Sequence, residues 1–460
     1  MDATRIVYVV MPTTPLDALL LHLSTLRPEL TRPGFCNMLV VAVGWILTGG
    51  DHAVTQALVE TGVAGVRHHE AFHRFFSRGT WEPDALGRVV FDLISKKVEG
   101  VIEAVLDDTL LSKKGPEVFG LGCHLDPVRS TKRHKAFAFG HVWVVLSIRV
   151  HVPFSRRVWA LPVLFRLYRN EKECARRGEP HLKKTQLAVE LLGILATWAG
   201  TRSVKLAIDN AYCCRTLLLE LPTNVVVLGS MRPDAALFEP AKKTRKRQRG
   251  RAPSVGARLG TPTQLARRKS IPWQRLRTTL YGRDRVLRYK SLHCLWPQPS
   301  GLRLLHVVLV ECRNGDIPLR VYFSSQSEMP VDPVLTGYAG RWSTEVTFRD
   351  LKQRFGFGHS QARKREAVLR TAPFVGLLFS LLILWFSEGV HLTRLAAPPV
   401  RPWYPHKKGF SFTDVLRAAQ RALAKVDILA KSASLADLPR TRRAPRTRRL
   451  LAETGRRRAA

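Results

Sequence analysis

The sequence predicts an α/β protein: a mixed sheet covered by helices, preceded by a helical region and interrupted by a β-rich insertion. Three observations point to it. Apolar residues recur at helical spacing up to about residue 100 and in strand-like runs beyond it. Those runs then alternate with helices in the order β-β-β-α-β-α-β. A basic segment followed by further strand-like runs separates this block from a last set of helices.

In order along the chain, Pro15 to Leu30 carries Leu at 16, 19, 20, 21, 23 and 26, and Cys36 to Leu47 is a second apolar block. His68 to Trp81 (HHEAFHRFFSRGTW) interleaves basic and aromatic residues at helical spacing, as suits a helix that packs on one face and meets phosphates with the other. Residues 1–99 are therefore read as a helical DNA-binding domain. The apolar run from Ile6 to Met11, ended by Pro12, is too short for a signal-peptide core. His68, His69 and His73 have no Cys pair beside them and are not read as metal ligands.

Val101 to Leu106, ending in Asp107 and Asp108, then Phe137 to Val152 and Val158 to Tyr168, are rich in β-branched and aromatic residues and read as strands. Leu182 to Ala199 reads as a helix, Val204 to Ile208 as a strand ending in Asp209, about 212–220 as a helix, and Val225 to Leu228 as a strand. This is the order of elements in a ribonuclease-H-like core, assigned to residues 100–230. Residues 231–330 form the insertion, with a basic loop and strands at Val286 to Leu295, Leu302 to Cys312 and Leu319 to Phe323. The core resumes over 331–425, with helices at Pro333 to Phe355 and Val368 to Phe386, and 426–460 reads as a basic disordered tail. Phe374 to Phe386, preceded by Pro373, suits a buried core helix better than a bilayer span, so no membrane partner is expected.

The charge balance narrows the partner. Lys and Arg number 74 against 36 Asp and Glu, a formal net charge of +38, on a chain whose 45% hydrophobic content is that of a folded protein. Lys242 to Arg251 and residues 431–460 are dense in cations, yet removing both still leaves +23. The folded body is itself basic, which excludes an acidic enzyme and points to a polyanion held through counterion release. Seven cysteines without a C-x-x-C pair argue for a reducing compartment and against a zinc ribbon.

Three carboxylates stand out by position: Asp108 at the end of the first strand, Asp209 at the end of a later one and Glu345 on a helix after the insertion. In the expected topology the two strands are neighbours, so both Asp side chains can project at one sheet end. Oxygen ligands suit Mg²⁺, and paired ions activate an attacking oxygen and stabilise the leaving one in phosphoryl transfer. Tyr338, Arg341, Glu345 and Lys352 follow a Y-x2-R-x3-E-x6-K spacing, which on one continuous helix falls within about 60°. Asp350 lies on the other side, which favours Glu345 as the ligand. Arg341 and Glu345 also stand at i,i+4, the spacing of a helical salt bridge, and Gly337 and Gly340 weaken the first turn.

This spacing resembles the Y-R-E-K signature of bacterial insertion-sequence DDE transposases. DDTLLSKKG (Asp107 to Gly115) is similar to the family's first-Asp motif and AIDNAY (Ala207 to Tyr212) to its second. RPDAAL (Arg232 to Leu237), RTAPF (Arg370 to Phe374) and RPWYPHKKGFSF (Arg401 to Phe412) resemble further blocks, so the similarity spans roughly residues 30–425. In the first motif the resemblance selects Asp108, the Asp before Thr, over Asp107, a choice that turns on one residue. It implies a bacterial, cytoplasmic, nucleoid-associated DNA transposase in which Asp108, Asp209 and Glu345 hold two Mg²⁺ (or Mn²⁺) ions. Tyr338, Arg341 and Lys352 would contact double-stranded DNA, both transposon ends and target, and a homodimer would form on DNA. Water would nick the transposon end, and the freed 3′-OH would attack the target, or first the opposite strand to give a hairpin. Trp273, Trp296 and Trp342, the candidates for a base-stacking platform, are read as packing residues. A metal-dependent nuclease of the same core and an inactive end-binding inhibitor are the competing readings.

Overall fold

The structure is a computed structural model that describes residues 14–126, 128–131, 133–241, 253–312, 318–399, 402–403, 407 and 409–437. The run Ile6 to Met11, the basic tract Lys242 to Arg251, much of the Arg401 to Phe412 block and residues 438–460 lie outside the described residues.

The described residues begin with five α-helices: α1 (Pro15–Ser24), α2 (Arg32–Leu47), α3 (Val54–Glu60), α4 (Glu70–Ser77) and α5 (Pro83–Ser95). Thr14 and Thr31 cap α1 and α2 by accepting from the backbone N–H of Asp17 and Gly34, and a proline begins the first turn of each. α2 is apolar nearly all round and buried from Met38 to Ile46, as a central helix must be. Gly44 lets it close on α3, since a Cβ there would lie 2.2 Å from the Ala57 carbonyl oxygen. On α4, Phe72, Phe75 and Phe76 are buried, so the aromatic half of the HHEAFHRFF segment is core.

The strands follow: β1 (Ile102–Ser112), β2 (Gly122–Leu125), β3 (Phe137–Val152), β4 (Ser155–Tyr168), β5 (Val204–Ile208) and β6 (Val225–Ser230), with helices α6 (Glu171–Arg176), α7 (Lys184–Ala199) and α8 (Arg215–Leu219) between the last three. β4 pairs with β3 and β3 with β1, both antiparallel, while β1, β5 and β6 run parallel. That is the ribonuclease-H-like sheet, with the first strand beside the strand that ends in Asp209.

The insertion contributes β7 (Leu237–Pro240), β8 (Val255–Gly260), α9 (Pro262–Arg267), β9 (Gln274–Leu280), β10 (Arg283–Leu295), α10 (Pro297–Ser300), β11 (Leu304–Cys312) and β12 (Arg320–Ser324). It is not a separate layer. β12 pairs antiparallel with β6, so the insertion carries the same sheet on to twelve strands and covers what would otherwise be an open edge. β9 and β10 are joined by Tyr281 and Gly282, both at positive φ (55° and 72°), the two-residue turn whose twist suits a hairpin.

After β12 come α11 (Val331–Ala339), α12 (Trp342–Arg354), α13 (Arg365–Ser387), α14 (Phe412–Leu423) and α15 (Ile428–Asp437). α13 is long and apolar enough to cross a membrane, but it is buried among α1, α4, α5, α14 and β4. Pro373 lies inside this helix rather than at its start. The helices before β1 share one apolar core with α12 to α15, so residue 99 marks a change of secondary structure and not a gap in packing. α15 departs from the disordered tail expected of residues 426–460. Ile428, Ser432 and Ala436, at i, i+4 and i+8, give it a buried stripe, and the helix packs against α2.

Candidate active site

Strand register decides which acidic side chains meet. In the parallel pair β1–β5, Leu106 lies beside Ile208. Continued by one residue, that register sets Asp107 beside Asp209, whose backbone is still extended (φ −75°, ψ 162°) before the 3-10 turn Asn210–Tyr212, and Asp209 is near enough to act on the charge of Asp107. Neighbours in register project from the same sheet face and successive residues from opposite faces. Asp107 and Asp209 therefore share a face, and Asp108 points the other way.

The third carboxylate comes from α12, which lies on the Asp107 side. The guanidinium of Arg341 donates from Nη1 to Asp107 Oδ2 and from Nη2 to Glu345 Oε1, each at 2.7 Å. One planar fork thus spans both acids, which bounds the separation of those two oxygens at about 8 Å. Burial raises the Asp107 carboxyl to about 6; Arg341 pulls it down, while Asp108 and Asp209 push it further up. Burial likewise opposes the Arg341 charge, but Asp107, Asp209 and Glu345 outweigh it and hold the guanidinium protonated.

The four signature residues do not lie on one continuous helix. α11 ends at Ala339 and α12 begins at Trp342, so Tyr338 sits on α11, Arg341 at the joint, and Glu345 and Lys352 on α12. The break occurs at Gly340, and Arg149 explains it. This buried β3 arginine donates from Nη1 to the Gly337 carbonyl at 2.8 Å and places Nη2 3.4 Å from Glu103. A Cβ on Gly340 would lie 1.8 Å from that Nη2. The joint rests directly on the guanidinium, and only glycine leaves room for it. Tyr338 packs its ring 4.7 Å from that of Tyr322, and burial raises its hydroxyl pKa. Burial lowers the ammonium pKa of Lys352. Asp350 faces away from the cluster, 3.6 Å from Arg157.

Asp108 has a different set of partners. Its Oδ1 accepts from the Tyr212 hydroxyl at 2.8 Å and its Oδ2 lies 2.7 Å from Lys184 Nζ. It ties β1 to the start of α7 and to the turn that follows Asp209. Register sets Asp107, and not the expected Asp108, on the sheet face of Asp209. Asp108 braces the loop that carries Asp209.

Above the carboxylates opens a cleft of about 1450 Å³ between the core and the β9–β10 hairpin. Arg156, Arg232, Arg283, Arg285 and Arg320 line it, with Tyr281 and the half-exposed Trp342 facing each other at a ring separation of 6.5 Å. Trp296 is buried against Phe323, and Trp273 lies under Arg288 and Lys290. Among the described residues no three His, Cys, Asp or Glu side chains are already drawn together as a metal cluster. The donor set of Asp107, Asp209 and Glu345 nevertheless fits a hard divalent ion in chemistry, being all carboxylate oxygen, and a cationic group already lies between two of them. Reading the sequence missed Arg149 and Glu103 and named Asp107 only as the alternative to Asp108. Counting alternation from the parallel partner strand separates the two Asp residues by face, and a lone Arg in the apolar run of β3 was the signal for Arg149.

The antiparallel β4–β3–β1 strands continued by the parallel β1–β5–β6 strands place this protein in the ribonuclease-H-like fold class. More narrowly, the chain belongs to the family described as DDE superfamily endonuclease, which matches residues 25–288, more than half of its length. The match takes in Asp107, Asp108 and Asp209 and ends before α11. Among solved structures the chain is similar to a piggyBac transposase synaptic complex with hairpin DNA, at 12% identity and a TM-score of 0.41, covering 87% of this chain and 72% of that one. No curated protein matches the chain.

Proposed function

We propose that this endonuclease is a DNA transposase of the bacterial insertion-sequence type. It binds transposon ends, hydrolyses the end phosphodiester and joins the freed 3′-OH to target DNA. The observation that supports this reading is the register that sets Asp107 beside Asp209, with Glu345 joined to Asp107 through Arg341. Asp107, Asp209 and Glu345 are the residues to hold divalent metal, with Mg²⁺ or Mn²⁺ the ions their oxygens suit. Bound there, two such ions supply charge neutralisation at the scissile phosphate and a more acidic attacking water.

The rest is the work of the chain's own residues. Arg341 now bridges two of the acids, so metal held by all three requires it to withdraw toward the cleft, where a DNA phosphate is its natural bidentate acceptor. Tyr338 beside it, and Lys352 about three turns further along α12, supply a hydroxyl and an ammonium donor for phosphate oxygens. Asp108, through Tyr212, holds the Asp209 turn. The arginines of the cleft neutralise the duplex backbone, and a homodimer pairing two ends fits strand joining. A protein of this kind acts on cytoplasmic, nucleoid DNA.

The test incubates purified protein with candidate inverted repeats and Mg²⁺ and maps every break and joined product. Nicks at the repeat boundary together with strand-transfer products are expected, abolished by EDTA and restored by Mn²⁺. Breaks without joined products would instead identify a nuclease. Binding to the same ends should weaken by at least about tenfold between 50 and 200 mM salt, as displacement of several counterions requires.

A further inference from the structure

The hairpin β2–β3 carries a surface that the active site does not use. Its strands pair Leu125 with Phe137 and Cys123 with Phe139, so these four side chains project from one face, while Gly122, His124 and Gly140 are buried. All four are exposed: Phe137 by 64%, Phe139 by 61% and Leu125 by 47%, with Cys123 beside them. The loop joining the strands is cationic, with Arg129, Arg133, His134 and Lys135 exposed.

The position of this surface relates it to the site. Phe137, Phe139, His141, Trp143 and Val145 alternate along β3, and Val145 pairs with Asp107. Phe137 and Phe139 therefore lie on the sheet face of Asp107, and they are exposed where His141 and Trp143, beside α13, are buried. The backbone N–H of Lys113 donates to the Phe139 carbonyl, which sets the patch about 20 Å beyond Asp107 along the strands. Asp126, at the base of the loop, is near enough to Lys352 on α12 to act on its charge.

We propose that this hairpin is a binding surface for unpaired DNA bases, which stack on Phe137 and Phe139 while Arg129, Arg133 and Lys135 hold the flanking phosphates. The inference rests on the transposase reading and adds a ligand class to it: a single-stranded extension about six nucleotides from the scissile phosphate. A purely apolar protein partner would not call for the cationic loop. A duplex alone would not call for two open phenyl rings, since only unpaired bases present their faces for stacking. A second copy of the chain is the remaining occupant, and the experiment separates it.

The full-length protein is titrated, in EDTA, with a blunt duplex and with the same duplex bearing a single-stranded extension of about eight nucleotides. The wild type is expected to bind the extended probe at least about tenfold tighter, the effect of stacking one or two bases. The double variant F137A/F139A should lose that preference, keep its affinity for the blunt duplex and unfold at the wild-type temperature. The triple variant R129A/R133A/K135A should bind the extended probe more weakly and with a shallower salt dependence. Equal binding of both probes by the wild type, or a preference that survives F137A/F139A, would overturn the proposal. So would a dimer by light scattering that F137A/F139A converts to monomer with its probe preference intact. The readout needs no metal and no cleavage, so a protein that prefers the extension yet never cuts would fail the transposase reading alone.

Discussion

Asp107→Asn is expected to lower Mg²⁺-dependent strand cleavage by about 10³-fold or more, while Asp108→Asn lowers it by about tenfold or less. The first change removes one of two carboxylates that adjoin across β1 and β5 and so forfeits several kcal/mol of transition-state stabilisation. The second leaves an amide oxygen that still accepts from Tyr212 and loses mainly a partly exposed pairing with Lys184, a contact of about 1 kcal/mol. Rates of nicking on one labelled transposon end, with thermal unfolding as the control for folding, check both. Near-equal losses, or the larger loss in the Asp108 variant, would reassign the ligand.

Gly340→Ala should be nearly as damaging, although its backbone (φ −61°, ψ −15°) suits alanine without strain. The added methyl meets the guanidinium of Arg149, which cannot swing aside freely: it is buried, donates to Gly337 and pairs with Glu103. The relief available is a shift of α12, which moves Arg341 and Glu345 relative to Asp107. A displacement of about 1 Å at a catalytic group costs about 10²-fold. Cleavage should fall by that order while affinity for duplex ends changes only a few-fold. The double variant G340A/R149A should regain part of the rate, because the smaller side chain at 149 makes room for the methyl. A double variant less active than G340A would show that Arg149 acts through something other than this joint.

The sheet was legible because its strands are long, β-branched and separated by strong turn residues; β3 and the Asp209-bearing β5 fall where the residues place them. The parallel neighbours β1 and β5 follow from topology alone. What local sequence does not record is tertiary support. The Tyr338 to Lys352 segment has the spacing of one helix, but Gly340 sits on an arginine 191 positions earlier, and the helix divides there. α15 was hidden by the arginines that follow it, since a stripe of three small or apolar residues is a weak signal until α2 is there to receive it. The choice between Asp107 and Asp108 is of the same kind. The strand expected to end at Leu106 runs on to Ser112, so both Asp residues lie inside β1, and only pairing with β5 distinguishes the face toward Asp209 from the face toward Tyr212 and Lys184.

Diffraction from crystals of the protein with a transposon end and Mn²⁺, recorded where manganese scatters anomalously, locates the ions directly. Manganese in contact with Asp107, Asp209 and Glu345, with Arg341 turned to a phosphate, is the expected result. Manganese bound by Asp108 while Asp107 stays on Arg341 would contradict it.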